Sequence, residues 1–415
     1  MAMVDADTPL LNRSPLRCAF DAILERWTGL ILRDRSISAE QLLDSARKKA
    51  GLSDFGKPEF FGDLQILIET LRDAPLTAMG RRGLYEVIHL ALVRRLWLQY
   101  ALQRNPSLNT QVISAPFVII GFPRSGTTLL HNLLCLEPHC RWLRAWEIEP
   151  PFPSAESWGT RQDRRLREYN RRMAAIRKRN PPIHQLHPAD SPEECWRLFL
   201  ASFHCHTLFF FFGFDRYEHW LEASPADASS RAYVLHQVQL RFFQQRAGNG
   251  HWVLKSPEHT IQLPALLATY PDARIVHLHR EPHQVVASFC NLAGAIQAGL
   301  VSGISGRRLG RQVTHLLATW AERIITIRAG MPQANICDIA YTDLVSSPVE
   351  TVRRIYEHFG AVISPEFSDG LANWQRSQTP GSHRGAVHHF DRFALERTDI
   401  DRLFEQYRNR FLDQP

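Results

Sequence analysis

With 415 residues, 44% of them hydrophobic and 22% charged, the chain has the length to bury a large core and the composition of a folded globular protein, which argues against long disorder. Its formal net charge of +7 suits an anionic partner, but no aromatic RNA-binding motif or zinc-finger spacing accompanies the charge, which disfavours nucleic acid. Seven cysteines without a C-x-x-C pair argue against a disulfide framework, and no apolar run is long enough to span a bilayer.

Met1–Asp7 is acidic where a secretory signal is basic and then apolar, so the expected location is cytoplasmic. Residues 15–105 carry apolar side chains at steps of three and four, as at Tyr85, Ile88, Leu92 and Leu96. That period predicts a helical N-terminal region over 1–110, followed by one α/β domain over 111–415.

The domain opens on the apolar run Phe117–Ile120, which ends in Gly121-Phe122-Pro123-Arg124-Ser125-Gly126-Thr127-Thr128. This pattern predicts a strand, a tight turn and a helix whose first backbone N–H groups face outward to take phosphate. Gly121 and Gly126 have the spacing of the nucleoside-triphosphate loop. Thr127, however, stands where that loop needs its lysine, and the positive charge sits at Arg124 instead.

A basic, mostly helical insertion over about 155–247 separates the first strand and helix from the next strand. The arginines within 161–167 and 171–179 predict a solvated helix face. The aromatic stretch Phe203–Phe214 reads as core packing ahead of an apolar acceptor pocket. His204, Cys205 and His206 are adjacent and lack a second cluster, so no metal site is predicted.

Trp252–Lys255 predicts a strand with Lys255 at its carboxyl end, the edge where open α/β sheets bind ligands. Arg274–His279 predicts another, with Arg280 at its end and Ser288 about two turns into a helix that Pro282 starts. If the chain folds back there, both reach one phosphate. Ile336–Ala340 leads to Tyr341, a helix is expected over 348–360, and Gly381–Gly385 forms a basic loop around Arg384.

Together these motifs resemble the PAPS-dependent sulfotransferases, with Pro123–Thr128 in the form found in tyrosylprotein sulfotransferases and many bacterial relatives. The resemblance covers about residues 115–390 and implies an α/β fold, a P-loop-like central parallel sheet flanked by helices. It implies 3′-phosphoadenosine 5′-phosphosulfate (PAPS) as donor, PAP as product and no metal. Arg124, Ser125, Gly126, Thr127 and Thr128 would hold the 5′-phosphosulfate, Arg280 and Ser288 the 3′-phosphate, and Tyr341 the adenine side. Arg384 would close over the 3′-phosphate, although its glycine follows directly and the rest of that motif is missing. Lys255 and Arg124 would stabilise the departing oxygen.

The acceptor's proton needs a base. The candidates are Glu147, near the place of a catalytic glutamate in enzymes with this loop, and His187, the residue type used in the cytosolic branch; placement puts Glu147 first. Glu193 and Glu194 are a third candidate, but with Ser191 as cap and Pro192 in the first turn they also read as a helix N-terminus. The expected acceptor is a hydroxyl or amine on a small apolar alcohol, phenol or lipid. A P-loop kinase and a non-catalytic nucleotide-binding protein are the alternatives.

Overall fold

The computed structural model describes residues 6–7, 37–149, 164–179, 189–208, 212–213, 215–224, 226–244, 250–331, 335–378 and 390–413. Among the described residues three α-helices precede the sheet: α1 (Ala39–Ala50), α2 (Phe60–Asp73) and α3 (Ala78–Arg104). A reciprocal capping box between Ser38 and Gln41 starts α1, and Thr77 caps α3 by accepting from the Gly80 N–H at 3.0 Å. On α3 the predicted stripe faces inward, with Ile88, Leu92 and Leu96 buried and Tyr85 packed at the margin.

Four parallel strands follow, β1 (Phe117–Gly121), β2 (Val253–Lys255), β3 (Arg274–His279) and β4 (Ile336–Ala340), in the spatial order β2-β1-β3-β4. Phe117 lies opposite both Val253 and Arg274, and Ile275 opposite Ile336, so the strands run in step toward one carboxyl edge. Residues of β1 alternate between two cores. Phe117 and Ile119 join Val276 and Leu278 in one cluster; Val118 and Ile120 join Ile275 and the apolar faces of α1 to α3 in the other. The N-terminal helices therefore share a core with the sheet.

The remaining helices used below are α4 (Thr127–Leu134), α5 (Arg164–Arg179), α6 (Trp196–Phe199), α7 (Ala226–Gln244), α8 (Glu258–Ile261), α9 (Pro282–Gln297) and α10 (Gly306–Ala329). The chain lays β2 on one side of β1 and then returns to lay β3 on the other. The reversal opens a crevice at the carboxyl ends, the switch point where open α/β sheets bind ligands. Among the described residues no helix is long and apolar enough to cross a membrane.

Two expectations need correction. The segment Ser191–Glu194 does not start a helix: α6 begins at Trp196, and its cap position is Cys195, which makes no side-chain capping bond. Its backbone donors go elsewhere, from Glu193 N to the Leu143 carbonyl (2.8 Å) and from Cys195 N to the Lys255 carbonyl (3.0 Å), which holds the segment out of helical geometry. Nor is the arginine run wholly a solvated face. Arg165 is buried, donates to the Glu147 carbonyl at 2.7 Å and lies 5.3 Å over Trp146, while Arg172 pairs with Glu149 at 2.9 Å. Both project inward because α5 packs its Tyr169 and Met173 onto Ala145 and Trp146. In the aromatic stretch, Phe203 and Phe212 belong to the core as expected; 209–211 and 214 lie outside the described residues.

The first turn of α3 docks on the loop after α9 through backbone bonds from Thr77 N to Leu300 O (2.9 Å) and from Ser302 N to Pro75 O (2.7 Å). A Cβ on Gly80 would lie 2.1 Å from the Leu300 carbonyl oxygen, whereas one on Gly83 meets nothing within 4 Å. Gly80→Ala is expected to destabilise by about 1–3 kcal/mol through overpacking, and Gly83→Ala to stabilise by about 0.5–1 kcal/mol through helix propensity. Urea unfolding of the two variants checks this; equal effects of one sign would contradict the docking contact.

Candidate active site

At the end of β1 the chain turns sharply. Ser125 donates to the Phe122 carbonyl from both its N–H (3.2 Å) and its hydroxyl (2.7 Å), and Thr260 of α8 braces the turn by exchanging hydrogen bonds with Gly121. Arg124 is left-handed, with φ +69°, a conformation that costs a non-glycine residue about 1 kcal/mol or more. At Gly126 φ is +97°, and a Cβ there would lie 2.8 Å from the Tyr341 ring, so both backbone and space require glycine. Helix α4 then begins at Thr127, and its first-turn N–H groups have no intrahelical acceptor.

Residues from β3 and β4 gather around this turn. Arg124 Nε donates to the Ser288 hydroxyl of α9 at 3.2 Å, and Arg280 Nη1 donates to the Arg124 carbonyl at 2.8 Å. Gln284 Oε1 accepts from Arg280 Nε at 3.1 Å, and the guanidinium lies 4.2 Å over the Tyr341 ring. Burial lowers the pKa of both arginines, opposed at Arg124 by Glu194 and Tyr341 and at Arg280 by Tyr341. Two guanidinium groups thus share a partly desolvated corner with backbone donors and hydroxyls, a corner suited to an anion with more than one phosphate-like group.

From the other side β2 delivers Lys255, whose side chain is 3% exposed. Its ammonium donates to the Thr128 hydroxyl at 3.2 Å and forms an ion pair with Glu194. Glu194 reaches that point because the bond from Cys195 N to Lys255 O fixes the segment across the end of β2. The sequence offers this carboxylate both as a third candidate base and as part of a helix start; the tertiary path places it at the crevice.

The profile of the sulfotransferase family matches residues 116–365. The chain belongs to the sulfotransferase family. It is similar to the omega-hydroxy-beta-dihydromenaquinone-9 sulfotransferase Stf3 of Mycobacterium bovis, 24% identical over 273 residues that cover 64% of this chain and 67% of the relative. The crystal structure of sulfotransferase STF1 from Mycobacterium tuberculosis H37Rv superposes with a TM-score of 0.78 and 29% identity, over 89% of this chain and 99% of that one. Sulfotransferase STF9 from Mycobacterium avium shares the fold, with a TM-score of 0.81 and 24% identity over 91% and 97% of the two chains.

In this sulfotransferase the crevice brings together Arg124, Gly126, Thr128, Lys255, Arg280, Ser288 and Tyr341. Glu147 is buried, and both its carboxylate oxygens are engaged by Arg144, through the backbone N–H at 2.9 Å and Nη1 at 3.2 Å. His187 and Arg384 lie outside the described residues.

Removing one partner of the Lys255–Glu194 pair strands a charge in a largely enclosed place. A double-mutant cycle with Lys255→Met and Glu194→Gln, followed by urea unfolding, is expected to show a coupling of about 1–3 kcal/mol. Additive single effects would mean that the pair does not hold Glu194 in position.

Proposed function

We propose that this sulfotransferase moves a sulfuryl group from PAPS to a hydroxyl on a small apolar acceptor and releases PAP. The observation that carries the reading is the contact set of Arg280, Arg124 and Ser288 around the Gly126 turn, which gathers cations and hydroxyl groups from three separate elements at one crevice. The donor's chemistry fits these residues: the Tyr341 ring excludes any side chain at Gly126 and leaves bare backbone toward a phosphate, and Thr127 supplies no lysine for a triphosphate. Ser125 and Thr127 belong to the same turn, and Tyr341 is assigned to the base side.

Bound there, the donor would supply sulfur to the acceptor oxygen as the bridging S–O bond breaks and its electron pair stays on the 5′-phosphate of PAP. Lys255 is the residue best placed to neutralise that oxygen, because its ammonium already reaches Thr128 on the loop. Arg124 assists from the turn. We assign the acceptor's proton to Glu194, which faces Lys255 and becomes a free carboxylate when the ammonium swings toward the loop. Glu147 ranks second, since Arg144 occupies both its oxygens. The acceptor class rests on the mycobacterial relative, which is named for a hydroxylated, lipid-like menaquinone derivative.

Calorimetric titration with PAP, and separately with ATP and magnesium, tests the donor site. PAP is expected to bind without metal and to lose about 10- to 100-fold in affinity in Arg280→Ala, the worth of a charge-assisted hydrogen bond. Preference for ATP with magnesium would overturn the proposal in favour of a kinase. Release of PAP from PAPS with a panel of hydroxylated quinones and long-chain alcohols tests the chemistry. Glu194→Gln is expected to lower kcat by about 10²–10⁴ with PAP affinity retained; a larger loss in Glu147→Gln would move the base role there.

A further inference from the structure

Beneath the crevice three metal-ligating side chains converge from separate elements: Cys195 ahead of α6, His236 on α7 and His259 on α8. All three are fully buried, and their ligand atoms lie within 4.8 Å of one another. Cys195 Sγ is 2.9 Å from His259 Nε2 and 3.4 Å from the Lys255 carbonyl oxygen. Each imidazole is held from its far side by a tyrosine: His259 Nδ1 is 2.8 Å from the Tyr233 hydroxyl, and His236 Nδ1 is 2.8 Å from that of Tyr270. His236 Nε2 has no hydrogen-bond partner among the described residues.

We propose that Cys195, His236 and His259 form a buried site for a zinc ion. The ligand atoms of the three side chains lie within 4.8 Å of one another, and the His236 nitrogen that lacks a partner among the described residues is a buried polar atom whose cost an ion would remove. The tyrosine contacts supply what a metal-bound histidine needs, a partner on the second ring nitrogen that fixes ring orientation and tautomer. Zinc bonds of about 2.3 Å to sulfur and about 2.0–2.1 Å to nitrogen at a tetrahedral angle set these two donors about 3.6 Å apart, so on binding Cys195 Sγ and His259 Nε2 would exchange their 2.9 Å contact for a slightly wider spacing. The Lys255 carbonyl lies at hand for a fourth position. On binding, the Cys195 thiol gives up its proton to solvent and becomes the thiolate ligand.

Two other clusters lack this character. In His277, His279 and Asp338 the cation is already present: Arg328 donates to Asp338 through two nitrogens and lies 3.0 Å from His277. In Glu281, His283 and Asp401 the carboxylates pair with Arg408 and Arg397.

The consequence reaches the crevice, because Cys195 follows Glu194 directly and bonds the backbone of Lys255, while α8 carries the Thr260 brace of the loop. Zinc at this point would pin all three supports together as a structural ion, with no part in the chemistry.

Elemental analysis of the untagged full chain, incubated with zinc and desalted, gives the primary readout. Near-stoichiometric zinc is expected in wild type and strong depletion in Cys195→Ser and His236→Gln, with far-ultraviolet circular dichroism establishing that both variants fold. Cobalt titrated into chelator-treated wild type should give a thiolate charge-transfer band that Cys195→Ser lacks. Only trace zinc in wild type, equal zinc in folded variants, or cobalt absorption without the thiolate band would each overturn the site. None of these readouts depends on sulfuryl transfer.

Discussion

The pairing of β1 with β2 on one side and β3 on the other is the constraint on which the rest of the molecule depends. Parallel hydrogen bonds fix the levels at which neighbouring strands end, and here Ile119 is in register with Lys255 and with Val276. Lys255, the Gly126 turn and Arg280 therefore meet at one edge although they come from distant parts of the chain. β4 extends the edge and brings in Tyr341. A slip of one residue in β2 would turn Lys255 to the opposite face of the sheet and leave the crevice without its ammonium.

Charge is distributed unevenly at this edge. Arg124, Arg280 and Lys255 converge there, and Glu194 pairs with Lys255 and acts electrostatically on Arg124. Desolvation of a charge is unfavourable, and the lowered pKa of each arginine expresses that cost. An anion entering the crevice would offset that desolvation with charge-assisted hydrogen bonds. The left-handed backbone of Arg124 adds a conformational cost of its own.

Strand ends were the most legible part of the chain. A parallel strand buried on both faces reads as a largely apolar run, and the residues at or just beyond its end, Gly121, Lys255, Arg280 and Tyr341, mark the edge without knowledge of the fold. The periodicity of α3 was equally plain. Glu194 was not, because its position follows from backbone bonds to Leu143 and Lys255, and local composition alone favours a capped helix there. Arg165 and Arg172 were misread for a related reason: nothing in a run of arginines tells which of them faces the carbonyl and the carboxylate of a neighbouring turn. Cys195, His236 and His259 carry no spacing signal, since three unrelated elements bring them together.

The long insertion between α4 and β2 has a consequence for biosynthesis. The contact between Lys255 and Thr128 spans 127 residues, and among the described residues both strand neighbours of β1, β2 and β3, come from chain made after it. At translation rates of about 5–20 residues per second, the interval is about 6–25 s. Throughout it, a strand whose five residues are all buried in the finished protein leaves the ribosome without the sheet that covers it. The N-terminal helices are complete by then, and their apolar faces, which later pack on Val118 and Ile120, offer the nascent strand its first shelter from other chains.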